Sequence, residues 1–236
     1  DRFIDCSLIF EINSTIIAVM AANRSEDCLY SHQGLTYGGL VTNRKVGAAM
    51  TCEIFSVLKN YLTELGFKKL FYKPVPHIFH RLPFEADIYA LLSMDAKIVR
   101  YDLSSAIDLN SPLRFSKSKR QGINRAEKHG VIIKQSNFWS DFWLILSDRL
   151  SEAHNTKPVH TISEMLTLHH RFPDNIKLFS AHKDNEILAG IVLYDCGPCL
   201  HTQYMAATEI GREIGALDLT VKHIIERNLG QANYLN

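Results

Sequence analysis

The chain has 236 residues, of which 46% are hydrophobic and 22% are charged, a composition typical of a globular protein and not of a disordered one. Its 26 Lys and Arg residues nearly equal its 25 Asp and Glu residues, so no global charge would hold it on DNA or on an acidic membrane. The longest uninterrupted apolar stretch, 187–194, is far shorter than the roughly 20 residues that cross a bilayer. We therefore expect no membrane span, and any nucleic-acid contact would need a local basic patch.

The five cysteines are too few and too unevenly spaced for a disulfide framework, which favours a reducing, cytoplasmic setting. The chain opens at Asp1 with neither an initiator methionine nor the residue order of a secretory signal, so it reads as a chain entered midway. Its length allows one large domain or two small ones.

The first hundred residues predict the order strand, strand, strand, helix, strand, helix, strand. The expected strands cover 7–11, 15–22, 28–36, 68–72 and 98–103, and the expected helices cover 48–65 and 84–93. The helix over 48–65 has the clearest pattern, because its apolar residues recur at helical spacing and Gly66 stands where it would end. A Ser-, Asn- and Pro-rich segment follows and predicts a linker, which divides the chain into domains 1–113 and 114–236.

A basic helix opens the second half, with Glu127 as the one acid among its cations and Gly130 at its expected end. The cations are Arg114, Lys117, Lys119, Arg120, Arg125 and Lys128. Strands are then expected at 131–135, 176–182, 187–195, 199–206 and 233–235, and helices at 138–150, at 161–171 and after Gly215. Asn137 is the expected cap of the helix over 138–150.

The two halves carry a weak internal repeat. The segment 14–18 is similar to 185–189 at an offset of 171 residues. Further along, His32 aligns with His201 at a slightly smaller offset, and the two Leu-Gly pairs at 65–66 and 229–230 also align. The offset between matching residues decreases slightly along the chain, and each decrease occurs at a turn. Deletions in the loops of one copy would produce this pattern, so we predict a structural duplication.

From residue 131 the element order resembles that of the GNAT acyltransferase superfamily, in which a Gly-containing turn before a helix holds the coenzyme A diphosphate. Such a turn lets backbone N–H groups approach a phosphate at the positive end of the helix. The motif residues are Arg44, Gly47 and Ala49 in the first copy and Arg212, Glu213, Ile214, Gly215 and Ala216 in the second. The second copy departs from the pattern at its last position, Leu217.

The segment Asn124-Arg125-Ala126-Glu127-Lys128-His129-Gly130-Val131 gives a more specific resemblance, to the FemAB-like branch with two GNAT-like domains. The stretches 31–40 and 172–173 are similar to the same branch. This resemblance covers nearly the whole chain. It implies an α+β fold of two GNAT-like mixed sheets, flanked by helices, arranged as a pseudo-repeat and cropped at both ends.

The resemblance also places candidate site residues on the strand before the second turn. There His201 suits a general base and Tyr204 could protonate the departing group, while alternation would place Gln203 beside His201 and Tyr204 on the opposite face. Candidates for acceptor or phosphate binding are His32, Tyr37, Lys117 and Arg120, the last two within the group completed by Lys119 and Arg125. Asp218, in the first turn of the last helix, reads as structural.

The main functional expectation is an N-acyltransferase that moves an acyl group, most commonly acetyl from acetyl-CoA, to a small amine or a nucleotide-linked sugar. The alternative enzyme is a FemAB-type transferase that uses aminoacyl-tRNA and a peptidoglycan precursor. The near-neutral charge weighs against tRNA, while the basic helix keeps it open. A catalytically silent binding module is a further alternative, and we expect no metal and no DNA partner.

A redox protein is the remaining alternative, because Cys196-Gly197-Pro198-Cys199 spells the motif of thioredoxin-like proteins. In that motif the first thiol lies at a helix N-terminus, which lowers its pKa. Here the following residues predict a strand, so we expect Gly197 and Pro198 at a hairpin tip. A zinc site would need four ligands, and no second pair accompanies these cysteines.

Overall fold

The computed structural model describes residues 2–236 and forms two compact units, one that ends at Asp102 and one that comprises Leu103–Asn236. The first unit contains helices α1 (Ala48–Glu64) and α2 (Ala86–Ser93). Its strands are β1 (Ile4–Asp5), β2 (Leu8–Ile12), β3 (Thr15–Met20), β4 (Asn23–Ser25), β5 (Cys28–Tyr30), β6 (Val41–Thr42) and β7 (Lys69–Phe71). They form two small sheets, in the orders β2-β3-β6 and β1-β4-β5-β7.

The second unit is built on one six-stranded sheet. Its strands are β8 (Ile107–Asp108), β9 (Ile132–Ser136), β10 (Ile176–Lys183), β11 (Glu186–Asp195), β12 (Cys199–Ala207) and β13 (Tyr234–Leu235), in the order β8-β13-β12-β11-β10-β9. Its helices are α3 (Lys117–Lys128), α4 (Trp139–His154), α5 (Ile162–Arg171), α6 (Glu209–Ile214) and α7 (Ala216–Asn228). Because β8 pairs with β13, the second unit begins earlier in the chain than the division expected after residue 113. The expected α+β class is confirmed.

The predicted duplication is visible in the backbone of the two hairpins. The turn of β2–β3 has positive φ at Asn13 and Ser14, and the turn of β10–β11 has it at Asp184 and Asn185. Both pairs of strands also slip register once, between Phe10 and Glu11 in β2 and between residues 181 and 182 in β10. Turn and bulge therefore recur at the same offset of 171 residues, which confirms the pseudo-repeat.

The constant offset corrects one expected correspondence. Tyr30 pairs with Asn23 across β4–β5, and His201 pairs with Tyr194 across β11–β12, again 171 residues further along. His201 therefore corresponds to Tyr30. The expected partner, His32, lies beyond the end of β5 with a φ of 58°, outside any strand.

Two expectations about single elements are wrong. The segment 98–103 forms no strand, and its apolar side chains stay in solvent, with Tyr101 86% and Leu103 97% exposed. Alternation alone does not make a strand when no neighbouring strand pairs with it. The second wrong expectation is the cap of α4, which is Phe138 in place of Asn137. In addition, the sequence pattern did not predict α6, a short helix capped by the Thr208 side chain.

Helices cover both faces of the second sheet. α4 and α5 pack a layer of large side chains on one face, and α7 covers the other with Ile224 and Ile225. Gly190 of β11 is required on the first face, because a Cβ atom there would lie 2.4 Å from the ring of fully buried Phe142. The glycine thus sets how closely α4 approaches the sheet.

We expect Gly190→Ala to lower the free energy of unfolding by about 1–3 kcal/mol, since the added methyl group meets a ring that cannot move away. Urea denaturation followed by the fluorescence of Trp139 and Trp143, which lie in the same layer, measures the effect. The matched control adds Phe142→Leu, whose smaller side chain should make the double variant more stable than the summed single effects. Strictly additive losses would contradict the packing account.

Candidate functional site

The candidate site lies around the middle of β12. β12 pairs with β11 along most of its length, whereas its parallel pairing with β13 covers only Cys199 and Leu200. A last backbone bond joins the Thr202 N–H to the Asn236 carbonyl. The predicted site residues His201, Gln203 and Tyr204 lie on this stretch of the strand.

A β-bulge changes which faces these residues occupy. Val192 pairs with Tyr204, but the next residue of β11, Leu193, pairs with Thr202, so Gln203 is the extra residue on β12. As a result His201 and Tyr204 both lie on the face covered by α4 and α5. The expected alternation, with Tyr204 opposite His201, does not hold.

Tyr204 is held by the loop between α4 and α5. Its hydroxyl oxygen accepts a hydrogen bond from the His160 backbone N–H at 3.2 Å and lies 2.7 Å from Nδ1 of the same residue. The ring of Tyr204 packs edge-on against Trp143, with 5.2 Å between centroids. The indole therefore fixes the phenol ring, and residue 160 fixes its oxygen.

His201 contacts the end of β13. Its Nδ1 lies 3.0 Å from the Asn236 side-chain oxygen, and the amide nitrogen of Asn236 donates to Ser104 and to the carbonyl of Ser105. Asn236 thereby ties β12 to the segment that enters the second unit. Sequence analysis missed both His160 and Asn236, because each meets β12 across more than thirty residues of chain and neither belongs to a motif.

The turn before α7 is closed by α3. Gly215 has a φ of 82°, and a Cβ atom on it would lie 2.4 Å from the backbone oxygen of Gly122 in α3. Gly215 and Ala216 are buried, whereas Arg212 and Glu213 of α6 are exposed. Of the predicted diphosphate-binding residues of this half, Ile214 is also buried, in the core shared by α3, α7 and the sheet.

A salt bridge covers the same helix start. The Lys119 ammonium group lies 2.7 Å from the Asp218 carboxylate, which occupies the first turn of α7. An internal carboxylate thus already interacts with the positive end of this helix, where an anionic ligand would otherwise be favoured.

The corresponding turn of the first unit is open. Arg44, Gly47 and Ala49 are exposed at the start of α1, and a Cβ atom on Gly47 would meet no atom within 4 Å. With a φ of −93°, Gly47 has a backbone that other residues also adopt. The two predicted turns therefore differ in burial, although their sequences are similar.

The four residues predicted to bind the acceptor or a phosphate lie in two different places, two in the first unit and two on α3. His32 accepts a bond from the Gly34 N–H and packs edge-on against Phe3, and Tyr37 lies against Phe79. Lys117 and Arg120 are exposed in the first two turns of α3. All four predicted binding residues are at least partly accessible.

The Cys196–Cys199 segment lacks the features of a redox site. It forms the tip between β11 and β12, with Cys196 exposed and Cys199 buried. Burial of the thiol, and to a lesser extent its electrostatic interaction with Cys196, raises the pKa of Cys199 to about 12. Burial and Asp195 also raise the pKa of Cys196, whereas a nucleophilic thiol needs a lowered one.

Two kinds of feature are absent from the described part of the chain. Within residues 2–236 no cluster of His, Cys, Asp or Glu side chains is arranged to bind a metal ion. No helix in that range combines the length and the apolar character that a membrane crossing requires.

Three solved structures share this fold, and each aligns with nearly the whole chain. L-PGS from Bacillus licheniformis gives a TM-score of 0.66 at 12% identity, over 98% of this chain and 67% of its own. The C-terminal domain of a putative lysylphosphatidylglycerol synthetase from Agrobacterium fabrum gives 0.65 at 13% identity, over 98% and 70%. FemX gives 0.63 at 11% identity, over 99% and 78%.

No protein-family model matches the sequence, and no curated protein is significantly similar to it. At 11–13% identity the three likenesses establish the fold. The expected resemblance to FemAB-like proteins is thus confirmed as a likeness of fold, which the chain shares with FemX.

We expect Gly215→Ala to cost about 2–4 kcal/mol of stability, because it combines an unfavourable φ with a clash against the α3 backbone. The matched variant Gly47→Ala, in open space, should cost less than about 1 kcal/mol. Differential scanning calorimetry of both proteins compares them. Equal and small losses would mean that the turn at Gly215 is as open as the turn at Gly47.

The buried thiol should be unreactive in the native protein. A pKa of about 12 leaves about a thousandfold less thiolate at pH 8 than an ordinary cysteine has, so iodoacetamide should modify Cys199 only after unfolding in urea. Mass spectrometry of the alkylated peptide measures the rate, with exposed Cys196 as the internal comparison. Rapid native labelling, or ready formation of a disulfide between the two, would contradict this account.

Proposed function

We propose that the protein is an aminoacyltransferase that moves an aminoacyl group from aminoacyl-tRNA to an amine of a peptidoglycan precursor. The observation that carries this proposal is the closed turn before α7, where Gly122 and Gly215 are in backbone contact. The sequence predicted that the diphosphate of acetyl-CoA would bind at this turn or at the corresponding turn of the first unit, around Gly47. An aminoacyl-tRNA donor does not need it.

The closure opposes a CoA diphosphate for geometric and electrostatic reasons. A phosphate must come within hydrogen-bond distance of the first backbone N–H groups of a helix. Here Gly215 and Ala216 are buried and the Asp218 carboxylate occupies the first turn. A diphosphate would have to displace α3 and would then lie next to a like charge. The aminoacyl-tRNA alternative is therefore better supported than acetyl-CoA.

The exposed cations of α3 support a polyanionic donor. Lys117, Arg120, Arg125 and Lys128 are all exposed along one short helix, in a chain whose overall charge is only +1. Arg and Lys side chains bind phosphate oxygens, and neutralising several phosphates supplies much of the affinity for a nucleic acid. In this proposal α3 contacts the tRNA backbone.

The solved structures with this fold agree with an aminoacyl donor. The name of the Agrobacterium fabrum protein states that it makes lysylphosphatidylglycerol, which is a lipid that carries an aminoacyl group. FemX belongs by name to the Fem proteins that the sequence resembles. Together they support aminoacyl transfer as the chemistry, and the FemAB resemblance supplies the amine of a peptidoglycan precursor as acceptor.

A transfer assay tests the proposal. Total tRNA charged with radiolabelled amino acids is incubated with the protein and with a UDP-N-acetylmuramyl-pentapeptide, and label in the acceptor is measured by chromatography. Label on the pentapeptide is the expected result. Label that appears only when phosphatidylglycerol vesicles replace the pentapeptide would move the acceptor to a lipid. Acetyl transfer from acetyl-CoA in the absence of aminoacyl transfer would overturn the proposal.

The role of α3 can be tested by removing charge. Lys117→Gln combined with Arg120→Gln should weaken binding of charged tRNA and reduce the slope of log affinity against log salt by about 1–2, since up to two phosphate contacts are lost. Fluorescence anisotropy at several salt concentrations measures both quantities. Lys59→Gln, an exposed lysine of α1, is the control and should change neither. An unchanged slope in the double variant would place the tRNA elsewhere.

A further inference from the structure

We propose that a small cavity in the first unit binds the ammonium group of a primary alkylamine. Polar side chains from three elements line the cavity, namely Thr42 of β6, Thr51 of α1 and Asp87 of α2. His80, from the segment between β7 and α2, lines it as well. All of these residues belong to the first unit. The inference therefore goes beyond the proposed aminoacyl transfer and does not depend on it.

Asp87 supplies a negative charge to the cavity. Its carboxylate accepts hydrogen bonds from the Tyr72 hydroxyl at 2.6 Å and from the Ile88 backbone N–H at 2.9 Å. Burial, and then the charge of Asp87, raises the pKa of Tyr72 above its usual range, so the phenol keeps its proton. Within residues 2–236 no Lys, Arg or His side chain forms an ion pair with this carboxylate. A partly buried carboxylate without a counter-charge favours a bound cation.

His80 supplies a hydrogen-bond acceptor. Its Nε2 lies 2.8 Å from the carbonyl oxygen of Val75, and because a carbonyl oxygen can only accept, Nε2 carries the hydrogen. In the neutral ring Nδ1 is then an acceptor. This nitrogen is buried, and the part of the chain that the structure describes offers it no donor. Since a buried acceptor without a donor is destabilising, a ligand that donates to Nδ1 is favoured.

The size of the cavity restricts the ligand to a small head group. Its volume is about 30 Å³, close to the roughly 30 Å³ that one molecule occupies in liquid water. A primary ammonium group is of similar size and has three N–H donors and one positive charge, which match His80 Nδ1 and the Asp87 carboxylate. A water molecule would donate to Nδ1 but would not balance the charge of Asp87. A quaternary ammonium group is too large and has no N–H.

The rest of the lining suits the carbon chain of such a ligand. Leu40, Val75 and Phe84 are apolar and complete the wall of the cavity. Methylene groups next to the ammonium nitrogen would lose contact with water against these side chains, which is favourable. The expected ligand class is therefore an unbranched primary alkylamine in its protonated form.

Titration with ethylammonium chloride at pH 8, followed by NMR, tests the site. The ring-nitrogen signals of His80 report on Nδ1, and the backbone amide of Leu40 reports on Tyr72, to whose hydroxyl it donates at 2.7 Å. We expect both signals to shift and to saturate. Asp87→Asn should weaken the affinity about 10-fold, because the ligand loses its counter-charge. Tetramethylammonium chloride and sodium chloride should give no saturable shift.

Two control variants match the residues of the site. Asp95→Asn removes an exposed carboxylate just after α2 and should leave the affinity unchanged. His80→Phe removes the acceptor and should weaken binding, as followed by the Leu40 amide, whereas His77→Gln, at an exposed histidine, should not. Circular dichroism verifies that each variant is folded.

Three results would overturn the inference. The first is an equal response of the wild-type protein to all three salts, which would show a general ionic effect. The second is the absence of a saturable shift with ethylammonium, and the third is an unchanged affinity in Asp87→Asn. If Asp87→Asn does not fold, the contrast between ethylammonium and tetramethylammonium on the wild-type protein decides the question. Each of these results leaves the proposed aminoacyl transfer unaffected.

Discussion

The second unit depends on a contact between two glycine backbones. A Cβ atom on Gly215, before α7, would lie 2.4 Å from the backbone oxygen of Gly122 in α3. A Cβ atom on Gly122 would lie 2.6 Å from the Asp218 carboxylate and 3.7 Å from the Gly215 Cα atom. This contact places α3 on α7, buries Ala126 and Ala216 in a common core and brings Lys119 to Asp218. It also leaves the cations on the opposite side of α3 in solvent. One packing constraint thus closes a turn that could have bound a diphosphate and displays a basic surface.

A second constraint is the bulge on β12. It rotates Tyr204 onto the face of His201 and interrupts the regular pairing of β12 with β11. The first unit has an irregularity at the equivalent place, because β3 ends at Met20 and β4 begins at Asn23, and residues 21–22 lie 171 positions before Val192 and Leu193. The two copies therefore interrupt the same strand pair. In the second copy Tyr204, which contacts His160, lies next to the interruption. In the first copy β5 ends at Tyr30, before His32.

Much of the fold could be predicted from the sequence, because hairpin turns, helix periodicity and glycine stops act locally. Gly66, Gly130 and Gly230 do adopt positive φ after their helices, and the capping box of α5 follows from Thr161 and Glu164. The site could be predicted only in part. Strict alternation cannot show a bulge, so the faces of Gln203 and Tyr204 were not predictable. A Gly motif cannot show whether α3 covers it, and the contact of His160 with Tyr204 spans 44 residues.

The central claim is that the donor is a charged tRNA and not an acyl-CoA. Calorimetric titration of the protein with acetyl-CoA and, separately, with a minihelix that carries a non-hydrolysable aminoacyl amide tests it most directly. The account predicts micromolar binding of the aminoacylated minihelix and no heat of binding from millimolar acetyl-CoA. Micromolar binding of acetyl-CoA without binding of the minihelix would contradict it.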